Sequence, residues 1–137
     1  MTRFAIDAPV AVRLARDEVS ISDEHQLVGP SILRSHAMSL LYGGVRSGEL
    51  DETEALLALD RLTTMRIRLL GDRVLQDVAW KVATKLGWPD TLDAEYVALT
   101  QLQADAFITL DPALADAVNG LVTIAPIEAL WQTGRGS

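Results

Sequence analysis

Three aspartates stand where their carboxylates could share one pocket. Asp7 directly follows the apolar run "RFAI" at residues 3–6, and Asp111 directly follows the apolar β-run "AFITL" at residues 106–110. In open parallel sheets, ligands bind outside the carboxyl ends of the strands. If these two runs are neighbouring strands, both carboxylates converge on one cleft. Asp93, in the first turn of a helix and two residues before Glu95, is a third candidate. Carboxylates within a few ångströms of one another repel unless one is protonated or a cation bridges them. An oxygen-rich set of this kind suits Mg²⁺ or Mn²⁺. Such a site can activate water and stabilise an in-line phosphate displacement. Each aspartate taken singly also has a structural explanation. Asp111 precedes Pro112 and reads as a helix cap, Asp93 is favoured by the dipole of its helix, and Asp7 can cap the helix that follows it. Only their joint placement separates the two accounts.

The surrounding pattern supplies elements to hold these residues. "RFAI" predicts a first strand, and "APVAVRLARDE" a helix with Val10 and Leu14 inward and Pro9 in its first turn. "HQLVGP" predicts a second strand stopped by Gly29 and Pro30. The following helix carries Ile32, Leu33, His36, Ala37, Leu40 and Leu41 on one face, so an ionisable ring lies on an apolar stripe; "YGGVRSGEL" predicts its end. Asp51 and Glu54 form a capping-box pattern before another helix. "TMRIRLLG" reads equally as a strand or as the end of that helix. Residues 72–86 have helical period with Val74, Leu75, Val78, Ala79, Val82 and Leu86 inward, and "TLDAEYVALTQLQA" is helical again. After "AFITL" comes a short helix from Asp111 to Gly120, a last strand "LVTIAP", and a turn around Trp131. Apolar runs alternating with helices predict an α/β fold built on a small parallel sheet with heavy helical cover.

The chain has 137 residues, enough for one domain with its own core, which we place at residues 1–132, with 133–137 expected to be a disordered tail. Cysteine is absent, which removes disulfides and thiolate metal sites and suits a cytoplasmic setting. No apolar stretch reaches the ~18 residues of a membrane span, and the N-terminus makes a poor signal peptide because Asp7 interrupts its apolar part. The net charge of −7 argues against a nucleic-acid partner, since such partners are polyanions. That argument weakens if several acids are gathered in one pocket and neutralised by cations.

"FAIDAPVAV" and "TLDAEYVALTQLQADAFITLDPALADA", with the helices between them, resemble a PIN domain, and specifically the VapC-like toxins of prokaryotic toxin–antitoxin pairs. The resemblance covers almost the whole chain. Its most specific part is an Asp opening a helix that reads D-A-x-Y-V-A-L, followed by an apolar strand ending T-x-D. It implies a Rossmann-like PIN fold with a small central parallel sheet and helices on both faces. It implies a metal-dependent ribonuclease in which acids surround Mg²⁺ or Mn²⁺. By the family pattern, Asp7 is the first acid, Asp93 the third and Asp111 the fourth; Thr109 takes the hydroxyl position, and Asp116 is a possible accessory acid. The implied partners are an RNA substrate, a cognate VapB-like antitoxin whose C-terminal segment blocks the cleft, and a second copy of the chain. No membrane partner is implied.

The family's second acid, a glutamate in a pattern like P-x-L-L-x-x-E, is missing. Pro30, Ile32 and Leu33 lead instead to His36, and a one-residue slip brings in Ser35. An imidazole there removes one negative charge and one hard oxygen, which disfavours a second Mg²⁺ and favours Mn²⁺, Zn²⁺ or Ni²⁺. Three roles stay open for His36: a ring hydrogen-bonded beside an aspartate, a metal ligand, or a general acid or base. The corresponding functions are a VapC-like endoribonuclease with reduced activity or altered metal preference, or a catalytically silent PIN-fold binding or regulatory protein. A third account makes all three aspartates caps of an acidic α/β domain. Arg13, about one helical turn past Asp7, is the foremost candidate for a phosphate contact; Arg34, Arg46, Arg66 and Arg68 are others, and exposed surface charge is the alternative for each. His25, in a polar stretch, reads as solvated, and Trp80 as buried.

Overall fold

The computed structural model describes residues 1–131. The expected disordered tail therefore lies outside the described residues. Strand β1 (Thr2–Ile6) leads into helix α1 (Ala8–Asp17), and strand β2 (His25–Pro30) into α2 (Leu33–Arg46) and α3 (Glu52–Thr64). Strand β3 (Ile67–Leu70) is followed by α4 (Arg73–Leu86) and α5 (Leu92–Gln103), and β4 (Ala106–Ile108) by α6 (Pro112–Val118) and a 3-10 turn at Ile127–Leu130.

The four strands form one parallel sheet in the order β3-β2-β1-β4. The chain steps outward through β1, β2 and β3, then crosses back to place β4 on the other side of β1. Right-handed crossovers put α1, α2 and α3 on one face of such a sheet and α4 and α5 on the other. The packing agrees: α1 contacts α2 and α3, while α4 pairs with α5, which lies on β1, β2 and β4. The direction of winding reverses between β1 and β4, so a crevice opens at their carboxyl ends.

Small residues let the layers approach closely. Ala8, Ala11 and Ala15 of α1 and Ala94 and Ala98 of α5 are all at most 1% exposed. Between them, Ile6, Leu14, Leu33, Phe107 and Ile108 fill the core. Asp51 caps α3 as the sequence predicts, accepting from the Thr53 and Glu54 amides, and Asp72 caps α4 by accepting from Leu75.

Several expectations are corrected. The ambiguous "TMRIRLLG" contains a strand, β3. "LVTIAP" is not a strand but makes a single bridge, Ile124 with Phe107; β4 has only three residues, and Pro126 brings no N–H to extend the ladder. Helix α2 continues through Gly43 and Gly44 and ends at Arg46, with Ser47 as its cap before Gly48, whose φ of 82° suits glycine. Leu40 and Val74, expected inward, are exposed, and Trp80, expected in the core, is 71% exposed. The inward stripe of α4 is narrower, made of Leu75, Ala79, Val82 and Ala83, so its flanking residues face outward. His25 begins β2, is half-buried, and meets Phe4 edge-on at 5.0 Å rather than standing in solvent. Among the described residues no helix is long and apolar enough to cross a membrane.

Candidate active site

The β1–β4 register builds the centre of the site. Ile6 pairs with Ile108, so the next residues, Asp7 and Thr109, leave the sheet side by side. Thr109 Oγ1 donates to Asp7 Oδ2 at 2.6 Å and accepts from the Asp111 amide at 3.2 Å. The other oxygen of Asp7, Oδ1, accepts the Val10 amide at 3.1 Å and so caps α1. Asp111 caps α6 in the same way, with Oδ1 accepting from Ala113 at 2.9 Å and Leu114 at 3.4 Å. Capping and convergence are therefore not alternatives for Asp7 and Asp111. A carboxylate that closes a strand and opens a helix stands at the rim of the cleft because it is the cap.

Asp93 comes from the other side, in the first turn of α5, whose cap position is Thr91. The residue is exposed overall, its carboxyl partly shielded, and it serves no cap. The electrostatics tie the group together. Burial pushes the Asp7 carboxyl above its ordinary value; the hydrogen bonds from Thr109 and Val10 pull it back, the Asp93 charge pushes it up, and His36 pulls it down. Asp93 is raised first by burial and then by Asp90 and Asp111, with His36 opposing. Burial also raises Glu95. Asp93 is thus within electrostatic reach of His36 and Asp111, and Asp7 of Asp93 and His36, although these residues come from separate elements spread over the chain.

His36 lies in the second turn of α2 and is half-buried. Its Nδ1 is 3.2 Å from the hydroxyl of Tyr96, with ring centroids 6.2 Å apart. Tyr96 is one helical turn beyond Asp93 on α5 and 1% exposed. Burial, then the charges of Asp7, Glu95 and Asp93, push its phenol further above the ordinary tyrosine range, so it keeps its proton. Sequence reasoning missed Tyr96: a tyrosine in the apolar run "YVAL" has the signature of a core residue, and its partner is 60 positions away.

The donor chemistry, carboxylate oxygens under mutual repulsion, fits a hard divalent cation. The spacing does not yet close a shell, because among the described residues no three His, Asp or Glu side chains lie close enough to hold an ion together. Asp93 and Asp111 are both exposed, and Asp111 is held by the Ala113 and Leu114 amides.

The arginines divide. Arg13 is exposed on α1, pairs with Asp17 at 3.4 Å, and lines a groove with Pro9, Arg16 and Leu40. Arg34 instead reaches across to the carbonyls of Leu62, Thr63 and Met65 at the end of α3, at 3.0 to 3.4 Å. Arg66 and Arg68 line a cavity of about 560 Å³ with Met1, His25 and Gln26, at the amino ends of the strands and away from the aspartates. Asp116 is exposed on α6, five residues past Asp111.

No protein-family model matches the sequence, and no curated protein matches it either. Two solved structures share the architecture. One is PAE2754 from Pyrobaculum aerophilum, 20% identical over 95% of this chain and 93% of that one, with a TM-score of 0.71. The other is VapBC-1 from nontypeable Haemophilus influenzae, 14% identical over 92% of this chain and 98% of that one, with a TM-score of 0.60. At these identities the likeness concerns the fold alone: a four-stranded parallel sheet flanked by helices, consistent with a Rossmann-like PIN fold.

Proposed function

We propose that this chain is a VapC-like, metal-dependent endoribonuclease that hydrolyses RNA phosphodiester bonds. The observation that supports it best is the convergence of Asp7, Thr109 and Asp111 at the carboxyl ends of β1 and β4, with Asp93 electrostatically coupled to them from α5. Asp7, Asp93 and Asp111 would hold Mg²⁺ or Mn²⁺, which supplies water activation and charge stabilisation at the phosphate when bound. Thr109 fixes the Asp7 carboxylate, whose two oxygens are held in different directions by the Thr109 hydroxyl and the Val10 amide. Arg13, exposed on α1 in the groove with Pro9, Arg16 and Leu40, offers a cation to an RNA backbone. Asp116 stands as an accessory acid, and His36 occupies the place of the family's second acid. The similarity to VapBC-1 supports a VapB-like antitoxin as partner. The exposed Met38, Leu40 and Tyr42 of α2 and Leu56 and Leu57 of α3 provide apolar surface for that partner or for a second copy of the chain.

A second reading, a catalytically silent PIN-fold regulator, is favoured by the unclosed carboxylate shell and by an imidazole where an acid is expected. One experiment separates the two. Purified protein is incubated with RNA in Mg²⁺ or in Mn²⁺, beside Asp93→Asn. Cleavage by the wild type that Asp93→Asn lacks supports the ribonuclease. Absence of cleavage in either ion, with cleavage gained by His36→Glu, supports the silent reading.

A further inference from the structure

We propose that Tyr96 is a positioning residue that fixes the tautomer of His36, so that the ring presents an N–H donor, not a ligating lone pair, to the acid-lined cleft. That this donor meets a phosphate oxygen of RNA rests on the ribonuclease reading. The tautomer itself does not.

The Tyr96 side chain is 1% exposed, and among the described residues its hydroxyl has one partner, Nδ1 of His36 at 3.2 Å. A phenol carries one proton and must place it somewhere. If the ring donated from Nδ1–H to the phenolic oxygen, the phenolic proton would be left in the protein interior without an acceptor, the costly kind of defect. If the phenol donates to Nδ1, both groups are satisfied. In the neutral ring the proton then sits on Nε2. Among the described residues Nε2 has no hydrogen-bond or ion-pair partner, since His36 makes none other than the bond to Tyr96. The ring lies within electrostatic range of Asp7 and Asp93.

Metal binding through imidazole needs a bare ring nitrogen. Here one nitrogen is engaged by Tyr96 and the other carries the proton. A hydrogen-bond donor among carboxylates, facing a substrate made of phosphates, is a different instrument from a fourth acidic ligand. It adds no charge to the metal shell and can approach the substrate backbone directly. Tyr96 reaches His36 from α5, the helix that also carries Asp93, so one element sets both the acid and the ring.

The test is nitrogen NMR of ¹⁵N-histidine-labelled full chain at about pH 8, above the ordinary imidazole range. The metal-free protein is measured first, then the protein with Mg²⁺ or Zn²⁺. The expected result is a His36 ring protonated at Nε2 in the metal-free protein and still protonated there with either ion. Tyr96→Phe should convert it to a mixture of tautomers. Addition of a 2′-O-methyl RNA oligonucleotide to the metal-free protein should shift the His36 Nε2 resonance. A ring protonated at Nδ1, loss of the Nε2 proton on adding metal, or an unchanged tautomer in Tyr96→Phe overturns the assignment. If Tyr96→Phe does not fold, the two wild-type spectra decide. Failure to shift with the oligonucleotide, with the tautomer as stated, overturns only the RNA clause.

Discussion

The hydroxyl of Thr109 donates to the carboxylate of Asp7 across 2.6 Å, joining residues 102 positions apart at the carboxyl ends of adjacent strands. The bond opposes the burial that pushes the Asp7 carboxyl upward. A hydrogen bond to a charged group is worth roughly 1.5–3 kcal/mol, about twice a neutral one. Thr109→Val keeps the shape and removes the bond, so it should cost about that much at pH 7 in urea denaturation. In acid below the Asp7 titration the carboxyl is neutral, and the loss should shrink to roughly 1 kcal/mol. An equal loss at both pH values would mean that the bond does not act on the charged form.

Asp7→Asn should stabilise the protein at neutral pH. The folded-state pKa of Asp7 is raised above its unfolded value of 3.8. Between those two values the folded protein binds more protons than the unfolded chain. The contribution of Asp7 is therefore fully favourable below the unfolded pKa. It declines as pH rises through the raised folded pKa, and a constant penalty remains above it. Asparagine caps helices as well as aspartate and carries no charge to desolvate. Thermal unfolding from pH 3 to pH 8 should show Asp7→Asn gaining over wild type as pH rises, each 1 kcal/mol appearing as roughly 2–8 °C. A variant that is less stable at pH 8 than at pH 4, relative to wild type, would reverse the sign.

Much of this site was legible as sequence because cap chemistry and strand ends are local. Asp7 after "RFAI" and Asp111 after "AFITL" could be placed at strand ends, and the sheet order then made them neighbours. What was not legible depends on tertiary partners. The inward face of α4 is set by how much of it α5 covers, which is why Val74 and Trp80 are exposed. Gly44 stays inside α2, where an added Cβ would lie 3.3 Å from Leu50. A glycine costs a helix about 1 kcal/mol relative to alanine, and here it lets the returning chain pack close. Tyr96 and Arg34 likewise take their roles from residues far along the chain, the ring of His36 and the end of α3.

Metal should stabilise the folded chain, and the two jobs of Asp111 should come apart. A ligand at ~100 times its dissociation constant adds about 2.7 kcal/mol. Mn²⁺ or Mg²⁺ should raise the melting temperature of the wild type accordingly. Asp111→Asn retains the cap of α6 and loses one carboxylate charge, so its metal-free stability should stay within ~0.5 kcal/mol of wild type while the metal-induced shift falls sharply. Asp111→Ala should lose both, with about 1 kcal/mol missing before any metal is added. The comparison is read by thermal melts with and without the ion. A full metal shift in Asp111→Asn would remove Asp111 from the metal site.

Arg13 and Arg34 should respond oppositely to alanine. Arg13 makes one exposed ion pair with Asp17, of a kind worth ~0.5 kcal/mol or less, so Arg13→Ala should leave urea stability nearly unchanged. If it meets an RNA phosphate, its loss should weaken binding and lower the salt slope by roughly one counterion. Arg34 holds three carbonyls at the end of α3, two of them in part-buried bonds. Its removal should cost about 1–3 kcal/mol and leave the salt slope of RNA binding as it was. Binding is measured by fluorescence anisotropy of a 2′-O-methyl RNA at two or more salt concentrations, beside urea melts of both variants. A salt slope that changes with Arg34 and not with Arg13 would place the RNA on the other side of α2, away from the groove between α1 and α2, and so away from Asp7.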